Sequence, residues 1–390
     1  MKILSIETSC DETAVSIVEA SGGLTSPTFS VLGNALYSQI ETHKQYGGVF
    51  PMLAKREHAK KLPVLLIEVL NQAKMYAEPL TNHEEKWEEI EQILKREEGL
   101  YEGLRDTVSK IKKPDIDVIS VTSGPGLEPA LWVGISFANA LGKLWGIPVI
   151  PANHMEGHIA SVLTGSNSKI TFPALALLIS GGHTELVEIP KWGEYKIIGQ
   201  TLDDAVGEAF DKVARILNLP YPGGPEISKL AEIARKNNYT NVVKFPRPMI
   251  NSNNFDFSFS GLKTSALYYI RDNFKGDSNT MTTEQKSDFA REFEDAVVDV
   301  LIKKTKKALD EKEINTLMIA GGVIANNKIR ESFHELKNIF SDLEIKTPTK
   351  ELSTDNSIMI AYSTYIKCLA FPDFISTNHK IIAQGNLKLK

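Results

Sequence analysis

The sequence predicts a duplicated α/β fold, with a cleft between two halves of similar size. Two segments carry this prediction, residues 1–20 and 174–189, because each reads as a strand, a tight polar turn and a second strand. Both turns follow the pattern Ser-x-x-x-Thr, at Ser9–Thr13 and Ser180–Thr184. A turn built of Ser, Gly and Thr directs hydroxyls and backbone N–H groups to one point, which suits a phosphate. One such hairpin alone would indicate only a surface turn, but the matched pair indicates duplication.

Length and composition fit two globular domains. Of the 390 residues 42% are hydrophobic, which is enough to fill sizeable cores. The net charge of -5 excludes bulk attraction to nucleic acid, so such a partner would require a local basic patch or a partner protein. Two cysteines, Cys10 and Cys368, are too few for a disulfide scaffold and fit a reducing cytoplasm. The start at Met1–Glu7 reads as a strand rather than a signal peptide, and no apolar run reaches the roughly 20 residues that span a bilayer.

After the first hairpin, the apolar spacing predicts helices around a buried strand. Residues 57–72 have helical spacing. Residues 73–113 are rich in Glu and Lys and carry an apolar stripe, which predicts an inserted helical hairpin or one long amphipathic helix packed on the core. A partner-binding surface is the alternative interpretation of this insertion. Residues 117–123 predict a buried strand that leads through the turn at 124–127 into a helix ending near Trp145.

The second half repeats this alternation of strands and helices. The predicted segments are a helix at 201–218 bearing Asp203, Asp204, Glu208 and Asp211, a loop at 221–225, a strand leading into a helix at 255–264, a helix at 286–312, a strand at 316–320 and a helix at 357–370. The Gly pair after the strand at 316–320 would let a nucleotide approach the backbone. We expect one lobe at 1–150, joined by the helix at 357–370, a second lobe at 151–356, and a tail at 371–390.

Two histidines four residues apart, His154 and His158, predict a metal site. On a helix they lie on one face, so both imidazoles can reach one ion. Asn153 is expected to cap this helix. A third ligand must come from elsewhere in the chain, and Asp355 is the candidate, although it could also act only as the N-cap of the helix that follows.

The middle residue of this segment, Glu156, argues against a peptidase. Zinc proteases of this kind carry His-Glu-x-x-His, with the general base beside the first His. Here Glu156 lies roughly 200° round the helix from His154 and is expected to point away from the metal face. A metal-dependent protease therefore stands only as an alternative.

Ten segments, taken in order, form the pattern of a known family. They are IETSCDET at 6–13, YGGVFPMLAKREH at 46–58, SGPGL at 123–127, NHMEGH at 153–158, LISGGHTEL at 178–186, DDAVGEAFDKVARIL at 203–217, YPGGP at 221–225, FSFSGLKT at 257–264, AGGVIANNKIR at 320–330 and TDNSIMIAY at 354–362. Together they resemble the bacterial TsaD proteins over about residues 1–370, interrupted by the 73–113 insertion.

The resemblance implies an actin/Hsp70/sugar-kinase-like (ASKHA) fold of two lobes and a tRNA-modifying activity. A threonylcarbamoyl group would pass from threonylcarbamoyl-AMP to N6 of adenosine 37 in tRNAs reading ANN codons, forming t6A and releasing AMP. The implied partners are tRNA, TsaB-like and TsaE-like subunits, and a TsaC-type enzyme that makes the adenylate. The implied location is the cytoplasm, with no membrane association.

The resemblance also assigns site residues. The metal ligands fall on His154, His158 and Asp355, with one Fe²⁺ per subunit expected and Zn²⁺ as the alternative. The substrate-binding residues are Leu178, Ile179, Ser180, Gly181, Gly182, Asp211, Gly224, Ser228 and Asn326. Asp11 is the candidate catalytic group, as a proton acceptor or an orienting residue, and no covalent nucleophile is implied.

Several positions depart from the family pattern. Met52 replaces the usual Glu, Ser228 replaces an Asp found in many relatives, Ser353 and Ser357 replace commoner residues, and the tail at 381–390 lacks an Arg-Pro-rich ending. Two further alternatives to the transferase are a small-molecule kinase or carbamoyltransferase of the same fold, and a non-catalytic scaffold that binds through the 73–113 insertion.

Overall fold

A computed structural model describes residues 1–77, 86–109, 111–164, 169–239, 243–377 and 379–389. The chain divides into two compact units, the first formed by Met1–Ile170 and Asp355–Lys390 and the second by Thr171–Thr354. Each unit contains one five-stranded sheet. Among the described residues, no helix combines the length and the apolar character that crossing a membrane requires.

The first unit surrounds its sheet with helices. Its strands are β1 (Lys2–Glu7), β2 (Glu12–Ser21), β3 (Thr28–Ser38), β4 (Val118–Gly124) and β5 (Val149–Asn153). Its helices are α1 (Ile40–Lys44), α2 (Pro51–Gln72), α3 (Trp87–Leu94), α4 (Leu100–Val108), α5 (Glu128–Trp145), α6 (His154–Ala160) and α13 (Ser357–Ala370). The strand order is β3-β2-β1-β4-β5, with β1 antiparallel to β2 and parallel to β4.

The second unit has the same plan. Its strands are β6 (Ala174–Ile179), β7 (Thr184–Lys191), β8 (Glu194–Gln200), β9 (Thr316–Ala320) and β10 (Glu344–Lys346). Its helices are α7 (Val206–Ile216), α8 (Gly223–Lys236), α9 (Ser260–Phe274), α10 (Thr283–Glu311), α11 (Asn327–His334) and α12 (Lys350–Ser353). The strand order is β10-β9-β6-β7-β8, with β6 antiparallel to β7 and parallel to β9.

The two sheets repeat one topology, which confirms the predicted duplication and the ASKHA-type fold class. In each unit a hairpin is extended by a third antiparallel strand on one side and by two parallel strands on the other. β6 is apolar and buried along its whole length, and β1 is buried at every position except Lys2, as expected of strands covered on both faces. Each hairpin turn therefore lies at the carboxyl end of a central strand, where α/β folds bind ligands.

The division into units differs from the boundaries expected from sequence. It falls after Ile170 rather than after residue 150. The cause is pairing and packing, because β5 pairs with β4 and α6 packs on α13. Gly157 lies at the close approach of these two helices, where an added Cβ would lie 3.0 Å from Ile360 Cδ1. The segment that carries the two histidines therefore belongs to the first unit.

The expected tail at 371–390 is also part of the first unit. The N–H of Gln384 donates to Ser123 O at 2.8 Å, and the N–H of Gly126 donates to Gly385 O at 3.1 Å. An added Cβ at Gly124 would lie only 2.0 Å from Gln384 O. The closing residues of the chain thus pack on the turn that follows β4.

The 73–113 insertion is a helical hairpin rather than one long helix. Gly99, with φ of 77°, separates α3 from α4 in a backbone conformation that residues with a Cβ rarely adopt. The predicted apolar stripe is buried in the core of the first unit, through Trp87, Ile90, Leu94, Leu104 and Val108. The part of this prediction that covers 78–85 and residue 110 lies outside the described residues.

Two helix predictions need correction at their ends. The helix predicted at 201–218 begins only at Val206, so Asp203 and Asp204 precede it. Asp203 instead accepts hydrogen bonds from the N–H groups of Phe259 and Ser260, at 2.8 and 3.2 Å. The helix predicted at 286–312 begins earlier, at Thr283, because Thr282 and Gln285 form a capping box.

Candidate functional site

The helix α6 presents its two histidines to one point. Asn153 caps it as predicted, since its side chain accepts hydrogen bonds from the N–H groups of Met155 and Glu156. The imidazole rings of His154 and His158 lie 4.6 Å apart between centroids, at 85° to each other. Both side chains are buried, so their ring orientation is fixed by packing.

Asp355 supplies a carboxylate to the same point. Its Oδ1 lies 3.4 Å from His154 Nε2 and 3.2 Å from His158 Nε2. The three residues offer ligand atoms that all lie within 4.8 Å of one another. The alternative role of Asp355 as a helix cap is excluded, because Asn356 caps α13 through its side chain. The geometry therefore brings together the three residues predicted as metal ligands.

The donor set fits a divalent metal ion. Nδ1 of His158 is buried and forms no hydrogen bond with any described residue, and the buried Nε2 has the Asp355 carboxylate 3.2 Å away, which is costly for Nδ1 unless another group satisfies it. Burial lowers the pKa of His158, which favours the neutral imidazole that metals bind. Burial raises the pKa of Asp355, but His154 and His158 outweigh it and hold that pKa well below its usual range. Two imidazoles, each binding as the neutral ring, and one carboxylate leave further coordination positions open, which is a common pattern for Fe²⁺ or Zn²⁺.

Glu7 orients the first histidine and was missed by the sequence analysis. Its Oε2 lies 3.0 Å from His154 Nδ1 and accepts the Thr122 hydroxyl at 2.6 Å. Since a carboxylate can only accept, His154 donates from Nδ1 to Glu7, and its Nε2 faces Asp355. Burial raises the pKa of Glu7, but the charge and hydrogen bond of His154 lower it by more. The net pKa of Glu7 therefore lies below its usual value. The available signal was an acidic residue at the carboxyl end of a buried strand.

Replacing Glu7 by Gln is expected to weaken metal binding about 10- to 100-fold, the usual effect of removing a carboxylate that orients a metal-binding histidine. Anaerobic titration of the metal-free protein with Fe²⁺ and with Zn²⁺ measures this. Glu97→Gln is the matched control, because Glu97 is a buried carboxylate of the same unit that pairs with Lys55. Equal affinity in Glu7→Gln and in the unchanged protein would contradict this role.

Glu156 is turned away from the metal ligands, as predicted. Its carboxylate pairs with Lys367 Nζ at 3.0 Å, and it is not among the residues that converge on one metal position. A hydrolytic metal centre requires a base positioned beside its water. This geometry weakens the protease alternative further.

The first hairpin turn, at Ser9–Thr13, lies beside the candidate metal ligands, since Ser9 Oγ is 3.2 Å from His154 Nδ1. The backbone oxygen of Asp11 accepts the N–H of Gln39 at 3.0 Å, and its side chain is largely buried. Burial raises the pKa of Glu12 well above its usual value, and the charges of Asp11 and Asp355 raise it further. The charges of Asp11 and Asp355 therefore both reach Glu12, although Asp11 is not among the converging metal ligands.

The second unit contains a cavity of about 570 Å³. Five of the nine predicted substrate-binding residues line it, namely Gly181, Asp211, Gly224, Ser228 and Asn326. They come from the hairpin turn, from α7, from α8 and from the start of α11. Its wall also carries Arg235, Glu294 and three lysines, Lys229, Lys328 and Lys350, which the sequence analysis did not single out.

The remaining four predicted residues belong to β6 and its turn. Leu178 and Ile179 are fully buried in the sheet, so only their backbone could serve a ligand. Ser180 closes the turn, because its N–H donates to His183 O at 2.9 Å and its hydroxyl accepts the N–H of His183 at 3.1 Å. Gly181 and Gly182 are exposed, and an added Cβ at either would meet nothing within 4 Å.

Asp211 and α8 are held together at the floor of the cavity. Asp211 Oδ1 accepts the N–H of Gly223 at 2.7 Å. An added Cβ at Gly223 would lie 2.4 Å from Ala214 Cβ, so the close packing of α8 on α7 requires glycine there. This contact fixes the position of the Asp211 carboxylate.

Comparison with known proteins gives close matches along most of the chain. A family model described as TsaD, tRNA N6-adenosine threonylcarbamoyltransferase, matches residues 30–82 and 106–362. A curated protein of Ralstonia pickettii (strain 12J), named tRNA N6-adenosine threonylcarbamoyltransferase, is 41% identical over 372 residues, which are 95% of this chain and 93% of that protein.

Solved structures show a more distant likeness. Full-length HypF in its phosphate- and nucleotide-bound form has a TM-score of 0.47 at 13% identity, over 70% of this chain and 41% of that chain. Component A of the Acidaminococcus fermentans (R)-2-hydroxyglutaryl-CoA dehydratase has a TM-score of 0.45 at 14% identity, over 95% of this chain and 99% of that chain.

Proposed function

This chain belongs to the TsaD family of tRNA N6-adenosine threonylcarbamoyltransferases, and from that premise we propose how its residues carry out the transfer. The threonylcarbamoyl group passes from threonylcarbamoyl-AMP to N6 of adenosine 37 in tRNAs reading ANN codons, and AMP is released. The observation that best supports this assignment within the structure is that five predicted substrate-binding residues, distant in sequence, line one cavity.

The cavity of the second unit holds the adenylate end of the donor. Asp211 accepts hydrogen bonds from the ribose hydroxyls, and Gly224 lets the nucleoside approach the backbone. The turn at Ser180–Gly182 faces the phosphate, and its N–H groups stabilise the negative charge that grows on AMP as it leaves. No covalent intermediate is required, because the exocyclic amine attacks the carbamoyl carbon directly and the bond to the phosphate oxygen breaks.

His154, His158 and Asp355 would hold one divalent ion, Fe²⁺ or Zn²⁺. That ion supplies Lewis-acid polarisation of the carbamate oxygens when it is bound. Glu7 keeps His154 in the tautomer that ligation needs. Asp11 is the nearby carboxylate assigned to accept the proton that N6 loses, or to orient the amine.

The partners follow from the family and from the charge of the chain. With a net charge of -5, the chain shares tRNA recognition with other subunits, which are TsaB-like and TsaE-like proteins. A TsaC-type enzyme supplies the adenylate, and the reaction takes place in the cytoplasm. Met52, which is half exposed on α2, lies where the family usually has Glu.

The transfer is tested by reconstitution. The purified chain is incubated anaerobically with its partner subunits, a TsaC-type enzyme, threonine, bicarbonate, ATP and unmodified tRNA, and the tRNA nucleosides are measured by mass spectrometry. We expect t6A to form only when this chain is present. No t6A in a mixture that a known TsaD protein renders active would contradict the proposed function.

A further inference from the structure

One wall of the cavity in the second unit is a hydrogen-bonded group centred on a buried carboxylate. Glu294, on α10, has a side chain only 1% exposed, yet it lines the cavity. The Ser228 hydroxyl donates to Glu294 Oε1 at 2.8 Å, and Asn326 Nδ2 lies 2.6 Å from the same oxygen. Ser228 and Asn326 line the cavity as well. Three segments of the chain thus meet at one acceptor atom.

The directions of these hydrogen bonds are determined by their surroundings. Arg235 binds Glu294 Oε2, which leaves Oε1 for Ser228 and Asn326. Asn326 Oδ1 caps α11 by accepting the N–H of Ile329 at 3.0 Å, so its Nδ2 must face Glu294 and Ser228. Since a carboxylate offers no proton, the Ser228 hydroxyl gives its only proton to Glu294.

This arrangement determines which way the Ser228 hydroxyl can hydrogen-bond to a ligand in the cavity. Its oxygen accepts one hydrogen bond from Asn326 at 2.6 Å and donates one to Glu294. The remaining lone pair can only accept a hydrogen bond from a ligand. Asp211, on another side of the same cavity, is a carboxylate that also can only accept. A ligand with hydroxyl donors is matched to this surface, and one without them leaves an acceptor unsatisfied.

We propose that Glu294 is a specificity-determining positioning residue, which fixes Ser228 as a hydrogen-bond acceptor and so makes the cavity select a ribonucleotide over a deoxyribonucleotide. This inference rests on the proposed function, in which the cavity holds an adenylate. Glu294 acts through Ser228 and Asn326. Its charge selects the sugar, while the chemistry of transfer belongs to other residues.

The variant Glu294→Gln is expected to turn Ser228 from a hydrogen-bond acceptor into a donor toward the ligand. An amide has both an acceptor and a donor, and Arg235 requires the acceptor, so the NH₂ group turns toward Ser228. Ser228 must then accept from Gln and direct its own proton into the cavity, where it opposes a ribose hydroxyl donor. The change conserves shape, so the effect on nucleotide binding can be separated from a loss of packing.

The test compares AMP, 2′-deoxy-AMP and 3′-deoxy-AMP as ligands of the full chain by calorimetry. In the unchanged protein we expect AMP to bind about tenfold or more tightly than at least one deoxy analogue. In Glu294→Gln the affinity for AMP falls about tenfold and the preference for AMP over the analogue disappears. In steady-state transfer assays the same variant raises the KM for threonylcarbamoyl-AMP with little change in kcat, since binding is lost equally in the ground and transition states.

Two controls separate this role from a structural one. Glu292→Gln changes a buried carboxylate on the same helix, which pairs with Arg247 and is not among the cavity-lining residues, and it should keep the AMP preference. Ser228→Ala should lose the preference, and adding Glu294→Gln to it should cause little further loss, because both act through one hydroxyl.

The outcomes are distinguishable from failure of the proposed function. An unchanged AMP preference in Glu294→Gln, or no preference and no AMP binding in the unchanged protein, would overturn the inference even if t6A forms. Selective AMP binding that depends on Glu294, without any t6A formation, would leave this inference standing and remove the transfer reaction.

Discussion

Replacing His158 by Ala is expected to abolish metal binding and to lower the rate of threonylcarbamoyl transfer about 100-fold or more. The variant leaves only His154 and Asp355, and two ligands seldom retain a catalytic ion. His158 is fully buried, its Nδ1 has no hydrogen-bond partner among the described residues, and its Nε2 lies 3.2 Å from the carboxylate of Asp355.

The measurement pairs elemental analysis of anaerobically purified protein with the transfer assay. Glu156→Gln is the matched control, because Glu156 lies on the same helix and pairs with Lys367 away from the metal ligands. It should keep one ion per chain and a near-normal rate. A full complement of metal and a normal rate in His158→Ala would show that the three predicted ligands do not hold the ion.

Replacing Gly207 by Ala is expected to lower kcat/KM for threonylcarbamoyl-AMP about 10- to 100-fold, by displacing the turn assigned to the phosphate. Gly207 lies in the first turn of α7, and its N–H donates to Ser180 O at 3.2 Å. An added Cβ would lie 2.7 Å from Ser180 O and 2.8 Å from Gly181 Cα. Both are backbone atoms, which cannot swing aside as a flexible side chain could, so the turn itself must move.

The kinetics should be read beside thermal unfolding, because overpacking of this kind also costs about 1–3 kcal/mol of stability. Glu208→Ala is the neighbouring control, since Glu208 is half-exposed and makes an ion pair with Lys212. It should change kcat/KM less than twofold. A Gly207→Ala protein that keeps its kcat/KM for the donor would contradict the assignment of this turn.

The repeated fold was predictable because its signal is local. The apolar run and polar turn at Ser9–Thr13 recur at Ser180–Thr184, and the two hairpins have the same strand order around them. The unit boundary was not predictable from such patterns. It depends on whether the segment after β5 packs on α13, and Gly157, which lies at this contact, is distant in sequence from its neighbour Ile360.

The metal site was only half predictable from spacing. The interval between His154 and His158 is a helical repeat, so it indicates two ligands. Asp355 lies about 200 residues further on, and only the family resemblance selected it over a capping role. Glu7 was missed because nothing in a strand sequence shows that its carboxylate will meet a histidine from another segment, at 3.0 Å.

The polar wall of the cavity was even less predictable from the sequence than the metal site. Ser228, Glu294 and Asn326 come from three separate segments, and their shared acceptor atom exists only after folding. From the sequence alone, Ser228 indicates the loss of a carboxylate, because it replaces an acidic residue of many relatives. The structure places the carboxylate of Glu294 directly behind it, so the negative charge at this wall is present but comes from α10.

We infer that this chain transfers the threonylcarbamoyl group to a tRNA base as the bond between that group and AMP breaks. The most direct measurement supplies purified threonylcarbamoyl-AMP, labelled in the threonine, to the chain and its partner subunits with unmodified tRNA, and counts labelled nucleoside and AMP together. We expect one AMP to be released for each t6A formed, and no label on a tRNA whose adenosine 37 is replaced by guanosine. AMP release without labelled nucleoside, or label that persists on the guanosine tRNA, would contradict it.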